Sequence, residues 1–229
     1  MKTLLETLSA GFLVVALAAP AAGASHALIV NGDASPTHQR NVELAIDTLV
    51  ELGYPEGNIQ VASDSRSLRR AVAALGERLA ADDALLLYTT GHGERRRGQS
   101  TLVLRDGQFA ASELAALVFG LRFRRLVYIG DQCYSGGFAR AFAATERDVV
   151  AVSGSDADHQ ARCEPFVRPL WRAAASPQRD ADGDGMVSIE EAYAIGSAQV
   201  KRALRDAPEA STQYYATGAS QGRQNSFGG

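Results

Sequence analysis

Leu126-Val127-Tyr128-Ile129-Gly130-Asp131-Gln132-Cys133-Tyr134-Ser135-Gly136-Gly137 is the stretch on which the fold is read. An apolar run of this length, closed by turn residues, reads as a buried strand of a parallel sheet. A second stretch has the same form: Leu85-Leu86-Leu87-Tyr88-Thr89-Thr90-Gly91-His92-Gly93. One run breaks at a cysteine, the other at a histidine. In open parallel sheets ligands bind beyond the carboxyl ends of the strands. The two breaks therefore place Cys133 and His92 on one functional edge, as a nucleophile and a general base. Ser135-Gly136-Gly137 opens a helix, whose N-terminus favours the thiolate.

Outward from these two strands, strand and helix signals alternate. Strands are expected at 26–31, 59–62 and 148–153, with a strand or hairpin at 101–104 turned at Asp106-Gly107. Helices are expected at 41–52, ended by Gly53, at 67–80 with Ser67 as N-cap, at 111–119, and near 138–144. Glu94 to Gly98 reads as a polar loop. Such alternation implies an α/β doubly wound, mostly parallel sheet flanked by helices, with right-handed crossovers.

The chain has 229 residues, enough for one domain with a substantial core. Its formal charge of −3 carries no footprint of nucleic-acid binding. The N-terminus reads as an export leader: Lys2 first, an apolar run from Leu8 to Ala19, then the small residues Ala22-Gly23-Ala24. Glu6 is atypical for a leader. The expected arrangement is a signal peptide over 1–24 cut after Ala24, a catalytic domain over 25–206 and a tail over 207–229. The mature form is expected to be secreted or periplasmic, with no membrane segment. The tail, rich in Ser, Gln, Gly and Ala, is expected to be largely disordered apart from a strand around 213–216. Two cysteines, Cys133 and Cys163, in an exported chain also admit a disulfide.

The paired motifs resemble the caspase–haemoglobinase clan of cysteine peptidases. His92 and Cys133 stand about 40 residues apart, near the interval of caspases. Asp131-Gln132-Cys133-Tyr134-Ser135-Gly136 is similar to the cysteine motifs of both legumains and metacaspases. Thr37-His38-Gln39 and Gly53-Tyr54-Pro55-Glu56-Gly57-Asn58-Ile59 resemble the legumain side most closely. The resemblance spans roughly 26–163. It implies a peptide substrate, Cys133 as nucleophile, His92 as acid–base, and Gly93 with the Cys133 amide as an oxyanion hole. It also implies that Asp131, His38 and the 156–158 loop with Asp158 line the pocket for the residue before the scissile bond. Asp131 sits two residues before Cys133, so in a strand the two share a face. Thr37 stands where the family has arginine, and His159-Gln160 where it has a serine pair. With Asp156 nearby, carboxylates outnumber cations and favour a basic side chain in that pocket. No third acid to orient His92 is evident.

A separate motif, Asp180-Ala181-Asp182-Gly183-Asp184-Gly185-Met186-Val187-Ser188-Ile189-Glu190-Glu191, matches the calcium-loop template of EF-hands. Asp180, Asp182 and Asp184 would offer side-chain oxygens, Met186 its carbonyl, Ser188 a contact through water, and Glu191 a bidentate carboxylate. The exit helix is expected over 190–204. Pro169 and Pro177 obscure the entering one. The sequence therefore reads as a secreted cysteine endopeptidase stabilised by calcium. Its alternatives are a transpeptidase or transamidase using the same acyl-enzyme, and a catalytically silent calcium-binding module. The intact His92–Cys133 pair and the single calcium loop argue against the silent module.

Overall fold

The computed structural model describes residues 23–161, 163–204, 212–221 and 225–227. The apolar run of the leader lies outside them. In chain order the elements are β1 (Ser25–Asn31), α1 (Pro36–Glu51), β2 (Ile59–Ala62), α2 (Ser65–Arg78), β3 (Ala84–Thr90), β4 (Gly93–Arg96), β5 (Gln99–Leu104), β6 (Gly107–Ala110), α3 (Ala111–Phe119), β7 (Arg125–Gly130), α4 (Ser135–Ala143), β8 (Asp148–Ser153), α5 (Cys163–Ala174), α6 (Ile189–Ala203) and β9 (Gln213–Thr217). A six-stranded sheet runs β2-β1-β3-β7-β8-β9, parallel throughout except for β9, which pairs antiparallel with β8. The chain is thus α/β, with a mixed, mostly parallel sheet flanked by helices.

The central strands are apolar because both faces are covered. Leu28 and Val30 of β1 pack with α2, α3 and α4, whereas Ala27 and Ile29 pack with α1, α5 and α6. Alternate residues of one strand thus serve two cores, as the two-residue period of a strand requires. All seven residues of β3 are buried.

Several boundaries differ from expectation, each for a local reason. Helix α1 starts at Pro36 behind Ser35, since proline's fixed φ and missing N–H suit a first turn. Asp64, not Ser67, caps α2. Asp64 accepts the Ser67 N–H at 2.7 Å, and the Ser67 hydroxyl accepts the Asp64 N–H at 3.1 Å. The presumed loop 94–98 is β4 and a turn through Arg97 (φ 49°) and Gly98 (φ 79°). With β5 and β6 it makes a second, antiparallel sheet. Helix α5 runs through Pro169.

Two observations concern the ends. Ala24 N–H donates to Asp83 at 2.7 Å, and the Ala24 carbonyl accepts from Ala84 N–H at 2.9 Å. A Cβ on Gly23 would lie 2.0 Å from the Asp82 carbonyl oxygen. Residues 23 and 24, assigned to the leader, thus belong to the folded edge. The described part of the presumed tail is also structural. β9 covers the edge of β8, Phe227 is 3% exposed, and Asn225 donates to Glu190 at 2.6 Å. β9 is the strand expected around 213–216; the packing of Asn225 and Phe227 was not expected, because Ser, Gln and Gly are as compatible with ordered turns as with disorder. Among the described residues no helix is long and apolar enough to cross a membrane.

If β9 and Phe227 complete the sheet, a chain truncated after Leu204 will expose the β8 edge and the Trp171 side of the core. We expect it to lose its cooperative thermal transition or to aggregate. A truncated chain that melts like the full one would show the segment to be dispensable.

Candidate active site

The parallel order brings the carboxyl ends of β1, β3 and β7 to one edge. Three glycines then let the strand-end loops close on one another. Gly91, at φ 118°, passes 3.1–3.2 Å from where Gly32 and Asp33 present their amide nitrogens, measured from an added Cβ. A Cβ on Gly32 would strike the Val103 carbonyl oxygen at 1.8 Å. A Cβ on Gly93 would lie 1.9 Å from the Cys133 carbonyl oxygen and 3.1 Å from its nitrogen. The residue after His92 is therefore pressed backbone-to-backbone onto Cys133.

This contact sets out two amides. Val103 N–H bonds the His92 carbonyl, so His92 and Val103 form a hydrogen-bonded pair of the β4–β5 ladder. The next pair, Gly93 with Leu102, is then a non-hydrogen-bonded one, and the Gly93 N–H points away from β5. The Cys133 N–H has no partner among the described residues. The arrangement offers two backbone donors beside one thiol.

Cys133 is a free, half-buried cysteine with Sγ 3.9 Å from the Ala161 carbonyl oxygen. Tyr134 follows in the left-handed region at φ 61° and leads into α4. That conformation costs a non-glycine residue on the order of 1 kcal/mol. It is held by the Tyr134 N–H donating to the His159 carbonyl at 3.0 Å. The glycines after Ser135 answer to packing: a Cβ on Gly136 would sit 2.5 Å from Asp156, and one on Gly137 2.0 Å from the Ser100 hydroxyl.

His92 is largely exposed, and its Nε2 lies 3.3 Å from Asp33 Oδ2. The same oxygen is 3.6 Å from Nε2 of His38, whose ring meets that of His92 edge-on at 6.0 Å. Asp33 is the acid that the sequence reading missed. It follows β1 by two residues, so its position on this edge was implied by strand order alone. Burial acts to raise its carboxyl, but the Ser35 N–H and hydroxyl, both at 2.9 Å, and the two histidines hold it below the ordinary carboxylate range. His38 is buried, with Nδ1 2.8 Å from the Thr90 hydroxyl. Burial lowers its imidazole below the usual range against the pull of Asp33, and His92 and Arg168 add to the lowering.

The acids expected to line a pocket for a basic side chain are engaged elsewhere. Asp131 is fully buried and accepts from the Tyr88 hydroxyl at 2.6 Å and the Asn41 amide at 3.3 Å. Asn41 in turn accepts from Arg168 at 2.8 Å. Burial pushes the Asp131 carboxyl up to about 6 in spite of these bonds. Asp158 pairs with Arg95 at 2.5 Å, and Asp156 with His159 at 2.8 Å. An i, i+2 rule aligns Asp131 with Cys133 only while the strand lasts, and β7 ends at Gly130.

A second cluster lies away from this edge. Carboxylate oxygens of Asp180, Asp182 and Asp184 lie within 4.8 Å of one another. Asp180 accepts N–H groups from Gly183 and Gly185, both glycines with φ near 80–95°. A hydrogen bond from Asp184 N–H acts to lower the exposed Asp182 carboxyl, but slight desolvation and its acidic neighbours push it up. Ser188 caps α6, and Glu191 closes that capping box while accepting from Ala181 N–H at 2.6 Å. Met186 is exposed. The loop is preformed around its carboxylates.

No family model matches the chain, and no curated protein matches it. Among solved structures it is similar to a Geobacter sulfurreducens protein determined as a structural-genomics target, at a TM-score of 0.61 and 16% identity. The match covers 89% of this chain and 98% of that one. It supports the α/β architecture and nothing finer.

The buried carboxyl of Asp131 gives a pH test. A folded-state value raised above 3.8 means that its contribution is intact below the unfolded value and lost as pH rises through about 6. Above that the ionised group costs roughly 3 kcal/mol. Asp131→Asn keeps an oxygen for Tyr88 and Asn41 and removes the charge. We expect it to raise the unfolding midpoint at pH 8 and to leave it nearly unchanged at pH 4. Equal midpoint shifts at both values would remove the charge from the account.

Proposed function

We propose that the protein is a cysteine endopeptidase of the caspase–haemoglobinase type. The observation that carries this reading is the backbone contact between Gly93 and Cys133, which brings the residue after His92 against the residue that bears the free thiol. In this reading Cys133 Sγ attacks the carbonyl carbon of the scissile peptide, and its proton passes to His92. The oxyanion of the tetrahedral intermediate accepts from the Gly93 and Cys133 amides, each worth roughly 3 kcal/mol where such donors have been removed. Collapse breaks the C–N bond, His92 gives its proton to the leaving amine, and a thioester remains on Cys133. Water, deprotonated by His92, then hydrolyses the thioester and regenerates the thiol. Asp33 holds one ring nitrogen, Nε2, and stabilises the imidazolium between the two proton transfers. The side chain before the scissile bond is placed on the His38 side of Cys133, above Asp131. Because Asp131 is already held by Tyr88 and Asn41, a neutral side chain there is as acceptable as a basic one.

The loop at 180–191 is proposed as an EF-hand-like calcium site. Its donors are hard oxygens, which suits calcium, and its two turn glycines are in place. Asp180, Asp182 and Asp184 would hold the ion with the Met186 carbonyl. Glu191 joins them only by leaving its capping role. The ion would supply charge neutralisation for the acidic loop. We also propose export with the leader cut ahead of Gly23, which spares the Ala24–Asp83 and Ala24–Ala84 bonds.

Peptide libraries varied before the scissile bond, including Arg, Asn and Asp, test the activity. Cys133→Ala and His92→Ala should each remove cleavage to a similar extent, since the two act as a unit. Asp33→Asn should give a smaller loss, roughly tenfold to hundredfold, with a shifted pH profile. An added amine appearing in the product would assign aminolysis of the thioester. Full activity in Cys133→Ala would end the peptidase reading.

For calcium, binding to the folded state alone adds about 2.7 kcal/mol at a hundredfold excess over Kd. Chelation should therefore lower the Tm, and Asp180→Ala should abolish the response to added calcium. A melting curve that does not move across a calcium titration would dismiss the site.

A further inference from the structure

On the α4 side of Cys133, opposite His38, lies an open groove of about 320 Å³. Its floor is made of small residues, among them Gly137 and Ala157, and its rim carries Arg95, Ser100, Arg140 and Asp158. The groove is built from the elements that make the catalytic edge. Arg95 is two residues beyond Gly93 on β4, and Gly137 is four beyond Cys133 on α4. The close approach of Gly137 to Ser100 brings these elements together.

Its charge is unbalanced. Arg95 is paired across the groove with Asp158. Arg140 is exposed and forms no ion pair or hydrogen bond among the described residues. Two guanidinium groups thus face one carboxylate, on a chain whose overall charge is negative. The small floor leaves room for a side chain to reach Arg140, and a planar guanidinium suits a carboxylate in bidentate fashion.

We propose that this groove is the subsite for the leaving-group side of the peptide and that it selects an acidic side chain there. The inference rests on the peptidase reading, because that reading puts the acyl side of the substrate over His38. The departing segment must then run across α4, between Arg95 and Arg140. Asp158, expected from the sequence in the acyl-side pocket, instead contributes to this groove and keeps Arg95 from binding the substrate alone.

The test uses matched peptides that differ only in the first two positions after the scissile bond, carrying Glu, Gln or Lys. Wild-type protein should favour Glu over Lys by roughly tenfold in kcat/KM, and less at high salt. Arg140→Glu should reverse that order. Binding of the same peptides to Cys133→Ala protein, followed by fluorescence anisotropy, should give the same ranking without turnover. Cleavage with no charge preference would overturn the subsite and leave the peptidase reading intact. A ranking in binding with no cleavage of any peptide would sustain the groove and overturn the peptidase reading. No cleavage together with no ranking in binding would overturn both.

Discussion

No side chain fits at Gly93. An added Cβ would overlap the Cys133 carbonyl oxygen at 1.9 Å, well inside any contact distance. From this one approach the rest of the edge follows. It brings the loop after β3 onto the end of β7 and starts β4, where the Gly93 amide faces away from β5 and the hairpin reaches over α4. Neighbouring close approaches repeat the device at Gly32, Gly91, Gly136 and Gly137. The motif glycines are therefore best understood as packing requirements between backbones, with chemistry as the result.

Beneath that edge lies a polar layer on the α1 side. Thr90 faces His38, His38 and His92 share Asp33, and Tyr88 and Asn41 hold Asp131. Its two kinds of titrating group pull in opposite directions. His38 is kept neutral by burial, so its contribution is intact above its unfolded value near 6.5 and lost as pH falls. Asp131 is also kept neutral by burial, so its contribution is lost as pH rises through about 6.

The sheet was legible because buried parallel strands are nearly pure Leu, Val and Ile, and β3, β7 and β8 announce themselves. The parallel arrangement of those strands, which puts the ends of β3 and β7 on one edge, followed from the alternation with helices. Asp33 was not legible. It sits in Gly32-Asp33-Ala34-Ser35, where an Asp reads as a turn residue, and only the adjacency of β1 to β3 gives it a partner. Asp131 was misread for the opposite reason. A pattern rule for strands was carried three residues past the end of β7, to Cys133, and the chain turns there. The β4 hairpin was hidden by Glu94-Arg95-Arg96-Arg97, because an edge strand with one solvated face looks like a loop. The terminal strand β9 was read at 213–216, but the packing of Asn225 and Phe227 behind it was hidden by composition.

The acidic loop is remote from Cys133 in sequence, yet the fold gives it a mechanical route to the site. Helix α5 leads into the loop and α6 leaves it, and their facing sides pack through Phe166 and Tyr193. Helix α5 also carries Arg168, which donates to Asn41 of α1, and Asn41 donates to Asp131. Asp131 lies two residues from Cys133. Helix α5 thus joins the helix that leaves the loop to the brace under Asp131. Loss of that brace leaves a fully buried carboxyl with fewer donors, which is the more expensive state for an ionised group. One helix therefore touches both the acidic loop's exit helix and the polar layer beside Cys133.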